Sequence, residues 1–154
     1  MKTTIVTIAL CLGFTIANAQ QIKETEVPAA VKQGFEKKYP GAKVEKWEKE
    51  GADYEAGFHL NKVESSAVIE ANGTFKELEQ EIKTSELPKA AVEYCAKNFA
   101  GHKLSEAAKI TDASGKVSYE AEMTKEKEHF DVIFNDKGNF VKKGNPETGK
   151  EDKD

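Results

Sequence analysis

The sequence predicts an α+β fold in which one unit, a helix followed by about four antiparallel strands, is written twice in tandem. Three observations carry this expectation. Val27-Pro28-Ala29-Ala30-Val31 is matched sixty positions on by Leu87-Pro88-Lys89-Ala90-Ala91, and the match continues through Phe35/Cys95, Lys37/Lys97, Tyr39/Phe99, Gly41/Gly101 and Lys43/Lys103. Tyr54-Glu55-Ala56 is matched sixty-five positions on by Tyr119-Glu120-Ala121, as are Val68/Ile133, Gly73/Gly138 and Phe75/Phe140 by their second members, so five residues enter the second copy near 109–116. Within each copy the apolar spacing changes from four residues to two, the change from a helix to a strand.

The chain opens on an address rather than on the fold. Met1-Lys2 supplies a positive start, Ile5 to Ile16 an apolar run and Ala17-Asn18-Ala19 a small-residue cleavage motif, so residues 1–19 read as a signal peptide cut after Ala19. The run is short for a bilayer span, and no other long apolar stretch follows, so no membrane anchor is expected. Cys11 leaves with this segment. Cys95 is then the one remaining thiol, an intramolecular disulfide is impossible, and stability must come from packing.

The first copy, 20–83, and the second, 84–143, each begin with a helix at Pro28 or Pro88, where a fixed φ suits a first turn. Val31, Phe35 and Tyr39 in one helix, and Ala91, Cys95 and Phe99 in the other, form the buried stripe; Lys32, Glu36 and Lys37 form the wet side. Cys95 therefore reads as a small buried hydrophobe in the place of Phe35. Gly41 and Gly101 end the helices.

Strands follow. Tyr54, Ala56, Phe58 and Leu60 alternate with Glu55, Gly57 and His59, and Val117, Tyr119, Ala121 and Met123 with Ser118, Glu120 and Glu122, the period of a sheet with one buried and one wet side. Flanking strands are expected over 42–50, 67–71, 103–110 and 130–135, with turns at Asn72-Gly73 and 137–139 leading into short final strands around 75–78 and 140–141. Val44 and Trp47 have opposite parity, so either the first strand bulges or one of the two faces solvent. Residues 144–154, rich in Lys, Gly, Glu and Asp, are expected to be disordered.

Composition narrows the chemistry. Of 154 residues, 38% are hydrophobic and 32% charged, a globular balance, and the net charge of -4 opposes nucleic acid as a partner. All 23 basic residues are lysines, so the guanidinium fork that suits phosphate is missing. His59, His102 and His129 lack metal-ligand spacing; His129 has Glu126, Glu128 and Asp131 nearby, but solvated charges explain that group more simply. Asn135-Asp136-Lys137-Gly138-Asn139 lacks the spacing of a calcium loop and reads as a turn. No nucleophile, base and orienting acid can be assembled, so no enzyme, cofactor or catalytic residue is expected. Asn72-Gly73-Thr74 fits a glycosylation sequon, though turn chemistry accounts for it.

Tyr39-Pro40-Gly41-Ala42 followed by Trp47, after the Val-Pro-Ala-Ala-Val helix start and before an Asn-Gly turn, resembles the PepSY-like domain of exported bacterial proteins, a family also likened to the beta-lactamase inhibitor protein. The likeness runs over about 22–143; in the second copy Ala100 and Ala107 replace Pro40 and Trp47. The resemblance implies that the two units join into one antiparallel sheet with helices on one face and the other face open. It also implies a non-catalytic binding module that restrains an exported peptidase or other hydrolase, while the signal peptide at 1–19 directs it to the periplasm or out of the cell. Glu55, His59, Glu120 and Glu122 are the polar positions expected to meet a protein partner, and Trp47 is either an anchor for it or a core aromatic. The alternative is a small metal-binding protein or hydrolase on the same scaffold.

Overall fold

The computed structural model describes residues 20–148; the expected leader with its cleavage site, and residues 149–154 of the expected tail, lie outside the described residues. The chain runs β1 (Gln20–Ile22), α1 (Ala29–Lys38), β2 (Val44–Glu50), β3 (Asp53–Leu60), β4 (Val63–Glu70), β5 (Phe75–Ile82), α2 (Lys89–Asn98), β6 (Lys103–Asp112), β7 (Val117–Lys125), β8 (Glu128–Asn135), β9 (Phe140–Lys143) and β10 (Glu147–Thr148). One antiparallel sheet takes all ten strands in chain order, with β9 and β10 both paired to β8.

Each copy is entered in the same way. A turn of 3-10 helix closes when the Lys23 backbone N–H donates to Glu26 at 2.9 Å, and the Lys83 N–H to Glu86 at 2.9 Å. Pro28 and Pro88 then cap the helices rather than start them: their ψ values of 143° and 136° are extended, and their carbonyls accept from Lys32 and Val92 at 3.2 Å. Gly41 and Gly101 leave the helices at φ 75° and 87°, the left-handed conformation that costs a glycine little.

The parity of Val44 and Trp47 is resolved by a bulge. Pairing with β3 slips between Val44 and Lys46, and both Val44 and Trp47 reach the same core. The second copy repeats the device between Leu104 and Glu106. Several strands exceed the expected lengths, because ladder pairing continues where alternation fades: β4 begins at Val63, and β5 runs on to Ile82. Glu147 and Thr148 pair with β8, so order extends into the tail that composition alone marks as disordered.

Two apolar clusters result. Val31 and Phe35 of α1 pack on Trp47, Tyr54, Ala56, Phe58 and Ile69; Ala91 and Cys95 of α2 pack on Ala107, Ala121, Met123, Phe130 and Phe134. Volume is exchanged between the copies. Phe35, Trp47 and Phe58 become Cys95, Ala107 and Met123, while Gly34, Ser65 and Ala67 become Tyr94, Phe130 and Val132, so each core fills with different residues. Cys95 is buried.

The copies are joined through β5 and β6, which pair from Glu77↔Asp112 to Ile82↔Ala107 without a slip. Thr111 and Asp112 belong to the stretch with no counterpart in the first copy, so the insertion lengthens the seam. Leu78 packs with the α1 cluster and Ile82 with the α2 cluster, and residues four apart on an unbulged strand share a side. The two cores therefore meet β5 on the same side.

Candidate functional site

The other side of these strands carries acids. Cross-strand partners share a side, so the pairs Glu48↔Glu55, Glu55↔Val68, Val68↔Glu77 and Ser66↔Glu79 lay out one surface across β2 to β5. It continues over Glu79↔Ile110, Ala108↔Glu120 and Glu120↔Ile133 into β8, and over Ile133↔Lys142 into β9. No residue of either core cluster lies on it.

This side is not the wet one that alternation leads one to expect. Glu55, Glu79 and Glu120 are only 6%, 5% and 5% exposed, beside buried Val68, Ala108, Ile110 and Ile133. Each of the three carboxyls, on alternate strands β3, β5 and β7, has an Oε2 with no hydrogen-bond partner. Such groups are costly, because water has been removed and nothing replaces it.

Electrostatics follow from that burial. Desolvation raises the carboxyl of Glu79, reinforced by Glu120 and Glu55, and raises that of Glu120, reinforced by Asp131, Glu122 and Glu55. Burial also raises Glu55, Glu77 and Glu106, and pushes Glu50 up to about 8 with help from Glu55. Glu55 and Glu120 influence each other although four strand steps, about 19 Å in a flat sheet, separate β3 from β7.

The residues singled out from the sequence fall in different places. Glu55 and Glu120 lie in this buried row. Glu122 shares the side but is satisfied, its carboxylate accepting from Ser105 Oγ at 2.6 Å and Thr124 Oγ1 at 3.2 Å. His59 lies at the margin, half exposed, with Nδ1 3.0 Å from Glu45 Oε1. Trp47 points the opposite way, 6% exposed in the α1 core with its ring 6.0 Å from that of Phe35. It is a core aromatic, and its surface is spent inside the fold rather than offered to a partner.

Glu50, Glu77 and Glu79 were not legible as site residues. The signal was Ile82, which stands at strand parity with Leu78 and extends β5 past the point where the apolar residues thin out; Glu79 then falls mid-strand, on the side of Glu55. The rim is mixed in charge. Lys46 Nζ pairs with Glu48 at 2.8 Å, and Lys142 tempers Glu77 and Glu120. Among the described residues, no group of three or more His, Cys, Asp or Glu is arranged to hold a metal ion, and no helix is long and apolar enough to cross a membrane.

The fold recurs in solved structures. A DUF2874 family protein from Bacteroides uniformis superposes with a TM-score of 0.64 at 17% identity, covering 75% of this chain and 87% of that one. A protein from Bacteroides eggerthii, provisionally described as periplasmic, gives 0.64 at 17% identity over 76% and 87% of the two chains. A BLIP-like protein from Bacteroides fragilis gives 0.60 at 19% identity over 82% and 92%. None of the curated proteins matches this chain. The model of a family provisionally described as beta-lactamase-inhibitor-like and PepSY-like matches twice, over 15–77 and 61–142. These two matches, on one shared sheet, establish that this chain belongs to the PepSY-like family.

Proposed function

We propose that the protein is a non-catalytic, exported module that binds another protein through the acidic side of its sheet. Both helices are read as lying on the opposite side, which the shared parity of Leu78 and Ile82 supports. One observation carries the proposal: a fold that completes two apolar cores on one side leaves Glu55, Glu79 and Glu120 half-satisfied on the other. Violations of this kind are tolerated where a surface is finished by something else. No nucleophile–base pair accompanies these acids, so binding is the better reading than hydrolysis.

Export rests on the leader-like residues 1–19 and agrees with neighbours described as periplasmic. The BLIP-like neighbour lends weight to a sharper form, in which the partner is an exported peptidase or other hydrolase restrained by contact. The test is site-specific photocrosslinking in the native exported fraction. A crosslinker at His59, on the margin of the acidic side, should capture a protein that one at Lys37, on α1, does not. Equal capture from both positions, or none from His59, would remove this reading. Any captured hydrolase is then assayed with and without the purified protein, and slowed turnover is expected.

A further inference from the structure

Resting on that reading, we propose that the partner presents a basic segment, and that one lysine or arginine side chain of it is seated against Glu79, which stands between Glu55 and Glu120.

The unpartnered oxygens point to this chemistry. Three carboxyls on alternate strands, each at least nine-tenths buried, each keep one oxygen without a donor. An anion would be repelled there, and an apolar side chain would leave the oxygens as they are. A cation with several N–H donors satisfies them, displacing the protons that burial holds there. A metal ion fits less well, since the described residues hold no grouping suited to one.

The chain fills the role only in part, Lys142 acting on Glu77 and Glu120 from β9. Lys46, the cation that acts on Glu55, is drawn off to Glu48 at 2.8 Å. Depth selects the guest. The oxygens are buried, so a charge carried on a long, unbranched stem suits them, which describes lysine and arginine. Extent argues for a protein rather than a small amine: acidic residues continue outward to Glu48 and Glu50 on β2 and to Glu106 and Glu122 on β6 and β7, a surface much wider than one ammonium group. Of these, Glu48 and Glu122 would hold the rest of a basic segment and speed its arrival.

The experiment is calorimetric titration of the purified protein with acetyl-tetralysine amide, compared across Glu79→Gln, Glu120→Gln and Glu93→Gln. Glu93 lies on α2, exposed and paired to Lys89, so the third variant removes one carboxyl away from the face. The glutamine variants keep shape, and melting curves verify that they fold. Binding by the parent is expected, with Glu79→Gln and Glu120→Gln each weakening it by about 30-fold and Glu93→Gln by less than about twofold. Equal weakening by all three would reduce the effect to overall charge and overturn the seat, as would absence of binding. Tighter binding of spermidine or of a divalent ion than of the peptide would overturn the protein occupant. If the crosslinked partner binds Glu79→Gln as tightly as the parent, the seat is wrong while the protein-binding reading stands. If tetralysine binds as expected but His59 captures nothing, the reading fails instead.

Discussion

Gly34, in the middle of α1, lies backbone to backbone against Gly73 in the turn between β4 and β5: a Cβ built on Gly34 would overlap the Gly73 carbonyl oxygen, and one on Gly73 would overlap that of Ala30. A glycine inside a helix ordinarily costs about 1 kcal/mol relative to alanine. Here the close approach of helix and turn explains it. The second copy solves the same contact differently, with Tyr94 in the place of Gly34 and its ring stacked on Phe140 at 4.9 Å.

Gly34→Ala should therefore destabilise the protein, against the helix-propensity trend. The obstacle is backbone, which cannot swing aside, so a loss of about 2 kcal/mol or more is expected in urea unfolding. A gain in stability would show that the helix can lift off the turn at little cost.

Stability should fall as pH rises, the reverse of the usual behaviour of carboxylate-rich proteins. Glu50, Glu55, Glu77, Glu79, Glu106 and Glu120 all have raised folded-state values, so the folded protein holds protons that the unfolded chain releases above the ordinary value of 4.5. Their stabilising contribution is complete below that value and is lost as pH climbs through the folded values, through about 8 for Glu50. Asp112, lowered by Ser114 and Lys116, acts in the opposite sense but below 3.8, outside this window. Melting curves at pH 5 and pH 8 should differ by about 5 °C or more, with the lower pH the more stable. Glu79→Gln should flatten that difference.

Trp47→Ala should cost about 3–5 kcal/mol, since it empties the space between Phe35 and the sheet. Val141→Ser, at a side chain 56% exposed on β9, should change stability by less than about 0.5 kcal/mol. Chemical denaturation of both variants measures the contrast.

Cys95 should resist alkylation in the folded protein. Its side chain is 2% exposed and burial raises its thiol, so iodoacetamide should react about a hundredfold or more slowly until denaturant is added. Fast reaction under native conditions would place Cys95 outside the core.

Much of this fold was legible one residue at a time. The repeat, the proline-led helices, the glycine stops and the alternating strands are local patterns, and local patterns report which residues share a side. The parity of Val44 and Trp47 even announced the bulge, without choosing between it and an exposed side chain. The candidate site was half legible. Glu55, Glu120 and Glu122 could be placed on the polar side of their strands, whereas Glu79 sits in a strand whose end was hidden by sparse apolar residues.

By itself the sequence determined the duplicated unit and which side chains of each strand face together, because backbone periodicity is written in neighbouring residues. Only the tertiary structure decided that β5 pairs with β6 across the copies, and that the acidic side is buried. Alternation distinguishes two sides of a strand but cannot tell whether a side is open; that depends on how side chains from neighbouring strands pack around Glu55, Glu79 and Glu120 and take the water from them.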